Sequence, residues 1–127
     1  MEPIAIVTAV ALLEYFLFGI EVARARARAG IEAPATVGDE IFERHFRVQQ
    51  NTLEQLVLFL PALWLFGYYV SPLWGAGLGL VFVVGRFLYA RGYVSQPSRR
   101  GTGFLVGEVA QALLLLGGLI GAVLSWF

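Results

Sequence analysis

Apolar residues fall in four long blocks along the chain, and the polar positions between them are few and concentrated. The blocks predict helices over about residues 3–27, 41–70, 72–94 and 103–127. Crossing roughly 30 Å of bilayer hydrocarbon takes about 20 mostly apolar residues in a helix, so each block qualifies or nearly does. The second is mixed: only Leu56 to Val70 is uniformly apolar, and the run RHFRVQQNTLEQ, Arg44 to Gln55, leads into it with no Gly or Pro. Charged side chains therefore enter the bilayer on a continuous helix. Only Ser71-Pro72 separates the second and third blocks, which predicts a tight antiparallel hairpin with Pro72 opening the third helix. The first connection, about Arg28 to Glu43, has Gly30, Pro34 and Gly38 as breakers and Asp39 or Glu40 as helix-start acids. Gln96-Pro97-Ser98 divides the last two helices. The flank of the first helix, Met1 and Glu2, lacks the positive charge of a secretory signal and reads as part of a retained helix. The expected fold is an all-α integral membrane domain over residues 1–127, a four-transmembrane-helix up-down bundle.

Composition supports lipid as the solvent: 58% of the 127 residues are hydrophobic and 14% charged. All nine cations are arginines, balanced by nine acids, and this neutral chain gives no sign of a nucleic-acid partner. With no cysteine and a single histidine, His45, the chain has neither disulfides nor a multi-histidine metal site. With four spans both termini lie on one side and every arginine on the other. The positive-inside rule makes the arginine-rich loops cytoplasmic. Abundant Ala, Gly and Arg without Lys suggests a GC-rich bacterial genome, hence a bacterial inner membrane. Gly75 with Gly79 and Gly117 with Gly121 have the four-residue spacing that lets membrane helices approach closely. Pro61 is expected to bend the second helix as a packing kink.

The polar residues form stripes. Arg47, Asn51 and Glu54, spaced by four and three, share one face of the second helix, with Glu43 and Arg44 extending it outward. Arg86, Tyr89 and Tyr93 do the same on the third. An arginine against lipid costs about 2.5 to 3.5 kcal/mol, so Arg86 should face the bundle interior, a partner subunit or a wet cavity. Spacing alone leaves two arrangements open. In one, these groups pair among themselves, Arg47 with Glu43 or Glu54 and Arg86 with another acid, and fix helix register. In the other they bind a ligand. The surplus of cation from Arg24, Arg26, Arg28, Arg99 and Arg100 suits a small zwitterion with more carboxylate than amine. Glu14 and Glu108 either pair with Arg86 or stay protonated in the bundle, a proton pathway being their best functional use.

The run from Glu43 to Glu54, with E-R-x-x-R-x-x-x-N-x-x-E at a membrane boundary, resembles the MAPEG family, the membrane-associated proteins of eicosanoid and glutathione metabolism. The R-x-x-Y-x-x-x-Y element from Arg86 to Tyr93 supports the resemblance independently. It implies a homotrimer of four-helix subunits with glutathione held between neighbours near the cytoplasmic face. By the same resemblance Arg47, Asn51 and Glu54 contact glutathione, and Gln49 reaches it from the other side of that helix. Arg86, Tyr89 and Tyr93 match the third-helix positions, and Arg26 matches an arginine ending the first. Arg100 falls where leukotriene-forming synthases keep the arginine that stabilises the thiolate, with Arg99 as its alternative. Gln55 departs from the tyrosine of many members. The implied activity is that of a membrane-bound glutathione transferase, its thiolate attacking an apolar electrophile that enters from the lipid or reducing a lipid hydroperoxide. Competing readings are a nonenzymatic lipid-binding or scaffold protein of the same fold, and a small transporter lined by Glu14, Arg86 and Glu108.

Overall fold

The computed structural model describes residues 1–127. The chain forms helices α1 (Glu2–Ala29), α2 (Glu40–Tyr69), α3 (Pro72–Ser95) and α4 (Gly101–Trp126), with a short 3-10 turn, Pro97–Arg100, running directly into α4. Local chemistry explains the boundaries. Gly30 ends α1 in the left-handed conformation at φ 70°, its N–H donating to Ala27 O at 3.3 Å. Of the two acids that could open α2, Asp39 is the cap: its Oδ2 accepts from the Phe42 N–H at 2.9 Å, while Glu43 reaches back to the Gly38 N–H at 3.0 Å. Ser71 caps α3 through the Trp74 N–H at 3.2 Å, and Pro72 occupies the first turn, where its missing donor costs nothing. Pro61 sits on an exposed face and α2 continues through it.

Three segments, α1, α3 and the stretch Pro97–Trp126, are long and apolar enough to cross a membrane. The protein is therefore an integral membrane protein. The second helix differs. Its 30 residues extend about 45 Å, but the apolar run after Gln55 covers only about 22 Å of that, short of the hydrocarbon thickness. If α2 crosses alongside α3, its Thr52 turn lies at hydrocarbon depth.

Only 28 of 127 residues are buried, and large aliphatic and aromatic side chains cover the outside, as in a bundle that faces lipid or further subunits. The interior is small and tightly packed. Ile4, Val7, Leu56, Leu63 and Leu114 surround the rings of Phe59 and Phe82, stacked 3.8 Å apart. Lipid tails are as apolar as these residues, so close packing is what holds the helices together. Ile4 and Val7 of α1 press on Gly75 and Gly79. The closest backbone approach, however, joins α3 to α4: a Cβ on Gly103 would stand 2.2 Å from Tyr89 N and 2.8 Å from Gly85 O. Gly103 and Gly107 have the same four-residue spacing on α4, but the residue they meet, Gly85, lies on α3, and spacing within α4 does not name that partner.

Candidate functional site

Arg86 anchors the centre of the site. It is 1% exposed, and its Nη2 donates to Thr52 Oγ1 at 2.8 Å; Thr52 in turn donates to Val48 O at 2.7 Å. The guanidinium lies 4.3 Å from the centroid of the Tyr89 ring, a cation–π contact in a water-poor setting. The acid partner expected for Arg86 is not found as an ion pair. Glu14 from α1 and Glu108 from α4 act on it only through their fields. A threonine hydroxyl takes the acid's place, because Thr52 faces inward between Val48 and Leu56 while the carboxyls stand on the flanking helices. The sequence held one signal for it, a hydroxyl at the polar-to-apolar boundary of the second block.

From this floor the site rises toward the third connection. Tyr89, 3% exposed, stacks on Tyr93 with centroids 5.7 Å apart, and the Arg100 guanidinium lies 6.0 Å from the Tyr93 ring. Arg100 is held there by its own turn, Nη1 donating to Pro97 O at 2.9 Å. Both arginines are exposed, but Arg99 contributes backbone: its carbonyl packs on Gly92, where an added Cβ would stand 2.6 Å away, and its side chain makes no ring contact. On α2, Arg47 and Glu54 form an ion pair at 3.4 Å, each about half exposed, and Asn51 lies between them with a buried Oδ1 lacking a partner. The Tyr89 phenol lies within electrostatic reach of Arg86, Arg47 and Arg100. The Tyr89–Tyr93–Arg100 contacts join the α3 stripe to the third connection, and the Arg86–Thr52 bond ties both to α2 beside Asn51, making one patch.

Two expected members face elsewhere. Arg26 donates to Ala35 O at 2.7 Å and covers the Phe42 ring at 4.7 Å; Gln49 presses on Gly19 of α1, its Nε2 3.0 Å from where a Cβ would be. At 100° per residue Gln49 points about 160° away from Asn51 around α2. Within one subunit, then, Arg26 and Gln49 are separate from the patch. Arg44 and Glu43, which extend the stripe in sequence, are structural: Arg44 pairs with Glu40 and caps the end of α3 at Val94 O, 3.0 Å away. Gln55 accepts from Gln111 of α4, which also donates to Glu108 at 3.3 Å. This buried amide chain braces α2 against α4 and was not foreseen.

The patch offers more positive than negative charge, phenol and amide groups for hydrogen bonds, and one carboxylate, Glu54, suited to an ammonium. Guanidinium groups bind carboxylates bidentately, so the arrangement fits an anionic or mixed-charge small molecule.

Comparison with known proteins places the chain in a family. Residues 4–120 match the MAPEG family profile. An uncharacterized protein of Synechocystis is 48% identical over 116 residues, covering 91% of this chain and 85% of that protein. Microsomal glutathione S-transferase 2 of Homo sapiens is 36% identical over 123 residues, 97% of this chain and 84% of the human protein. Leukotriene C4 synthase of Cavia porcellus is 35% identical over 102 residues, 78% of this chain and 68% of its own length. The family match runs from α1 into α4 and takes in every element of the patch: the chain belongs to the MAPEG family.

Proposed function

We propose that this protein is a membrane-bound glutathione transferase that binds glutathione at the Arg47–Tyr93 patch and activates its thiol with Arg100. The observation that carries the reading is the run of contacts from the Thr52–Arg86 bond through Tyr89 and Tyr93 to Arg100, beside the Arg47–Glu54 stripe of α2. The names of the relatives, a glutathione S-transferase and a leukotriene C4 synthase, support the same ligand. In this reading Arg47 grips a glutathione carboxylate, Glu54 holds the ammonium, and the unpartnered Asn51 amide bonds the peptide. Arg86 and Tyr89 form the floor. Arg100, tethered beside Tyr93, faces the sulfur; Arg99, its alternative, lacks that ring contact. The electrophile is apolar and arrives from the lipid, to be conjugated or, as a lipid hydroperoxide, reduced.

Arg26 and Gln49 enter through assembly. One subunit cannot present them to its own patch, whereas a ring of subunits can set the Arg26 and Gln49 face of one chain against the patch of the next. We assign a homotrimer on this basis and on the family resemblance, in a bacterial inner membrane with the arginine-bearing connections cytoplasmic.

A free thiol near pKa 8.5 is only a few per cent thiolate at pH 7. A neighbouring guanidinium that lowers this by about one or two units stabilises the anion by about 1.4 kcal/mol per unit. The test is the ultraviolet thiolate difference spectrum of the detergent-purified protein with glutathione at neutral pH, compared with Arg100→Ala. A thiolate band that disappears in the variant, with turnover falling about 10- to 100-fold and glutathione affinity retained, is the expected result. Equal losses of affinity and turnover would refute the role of Arg100, and no band in the assembled wild type would favour a lipid-binding protein without thiol chemistry.

A further inference from the structure

On the side of α2 away from the patch, α1, α2 and α3 line a half-open groove of about 690 Å³. His45 and Val48 line it, and His45 stands about 160° around the helix from Arg47. Its walls are mostly aliphatic and aromatic, with Leu13 and Leu17 from α1 facing Phe87 and Val94 from α3. A second chamber of about 250 Å³ adjoins it, sharing Glu21 and His45 and adding Arg28 and Asp39. The joined cleft is graded along the membrane normal. The apolar chamber reaches down α1 past Leu13, and the charged chamber opens where α1 ends and α2 begins. From Leu13 to Glu21 the rise is about 12 Å, a useful fraction of one leaflet.

We infer that this cleft is a binding site for a bilayer phospholipid with a zwitterionic amine–phosphate headgroup. The acyl chain occupies the apolar chamber, whose volume falls in the roughly 300–1,000 Å³ range of ligand pockets. The headgroup occupies the charged one. Charge balance selects the headgroup. Arg28 in the charged chamber, with Arg91 exposed on the wall of the apolar one, supplies cation for the phosphate, while Glu21, engaged only by an exposed Arg24 at 3.4 Å, supplies a carboxylate for the ammonium. Asp39, which accepts from the Phe42 N–H, adds a second carboxylate on the ammonium's side of the balance. An anionic headgroup without an amine would set its charge against Glu21 and leave that acid without a ligand partner. A purely apolar ligand would leave the charged chamber without one. Glu14, the acid of the apolar chamber, interacts with Arg86 and does not need the ligand as its counter-charge. The patch of Arg47, Asn51 and Glu54 lies on the other side of α2, and the test reads lipid retention in the absence of glutathione, so its outcome is distinguishable from failure of the glutathione reading.

The test is native mass spectrometry of the full-length protein in detergent, equilibrated with equal amounts of phosphatidylethanolamine and phosphatidylglycerol. Phosphatidylethanolamine should be retained over phosphatidylglycerol by about tenfold, consistent with about 1 kcal/mol for each charge contact at the membrane surface. Leu17→Trp, which fills the apolar chamber from its exposed lip, should abolish retention of both. Glu21→Gln, at an exposed position of α1, removes the ammonium's partner at constant side-chain size and should bring the preference to parity. Equal retention of the two lipids by the wild type, a preference for phosphatidylglycerol, undiminished retention by L17W, or an unchanged preference in E21Q would each overturn the assignment.

Discussion

Arg86 carries a full charge at a depth where exposure to lipid costs about 2.5 to 3.5 kcal/mol, and the surrounding residues show how the bundle tolerates it. One Nη donates to Thr52, the ring face of Tyr89 takes the charge from above, and Glu14 and Glu108 act from either flank. Of these, Thr52 supplies the only hydrogen bond. Thr52→Val keeps the shape and removes the acceptor, leaving a buried charged donor without its partner, at a cost of about 1.5 to 3 kcal/mol. Thermal unfolding in detergent should show a clearly lower Tm for Thr52→Val and a near-normal one for Thr52→Ser. Equal Tm values for wild type and Thr52→Val would mean that Arg86 finds its hydrogen-bond acceptor elsewhere. The sequence placed Arg86 inside the bundle from the cost of exposing it. It could not name Thr52, because the 34 residues between them are brought together only by the packing of α2 on α3.

At the scale of the helix, the α3–α4 contact determines where Tyr89 stands. Gly103 of α4 lies directly on the Tyr89 backbone, and Gly85 and Gly107 continue the approach. Gly103→Ala must force the helices apart, an overpacking penalty of about 1–3 kcal/mol or more. Gly77→Ala is the control, since a Cβ there meets nothing within 4 Å. Gly103→Ala should lower Tm and weaken the glutathione thiolate signal together, while Gly77→Ala should leave both near wild type. A Gly103→Ala protein with wild-type Tm would show that α4 stands farther from α3. The helices themselves were legible from hydrophobic blocks and punctuation: the Ser71-Pro72 break and an acid at the start of α2 appear as caps. Less legible was the segment from Pro97, which coils at once into a 3-10 turn and runs into α4 through Gly101, so that the helix begins before Gly103. Glycine there serves close packing, and in the sequence it reads as a breaker.

For the whole molecule, the decisive property is that the proposed glutathione ligands occupy two faces of α2. The patch of Arg47, Asn51 and Glu54 points one way, and Gln49, with Arg26 behind it, points about 160° away. A site shared between subunits makes a specific prediction. Arg26→Ala and Arg47→Ala proteins should each lose glutathione binding, while co-expressed chains that assemble together should recover part of it. In a mixed ring, one junction joins the intact patch of an Arg26→Ala chain to the intact Arg26 face of an Arg47→Ala chain. No recovery in verified mixed oligomers would place the whole site within a single subunit.

The order of residues alone determined that this protein is helical and membrane-bound, and which polar side chains share a helix face. These properties follow from periodicity, length and the cost of charge in hydrocarbon, all local to a segment. Tertiary structure decided the partners. It gave Arg86 a hydroxyl in place of an acid, joined Gln55 to Gln111, set Arg100 rather than Arg99 beside Tyr93, and turned Arg26 and Gln49 away from the patch. Each of these depends on the rotation and separation of helices far apart in the chain. Close glycine contacts and the shapes of the side chains between helices fix that geometry, and a four-residue glycine spacing marks a close-packing face without naming the helix it meets.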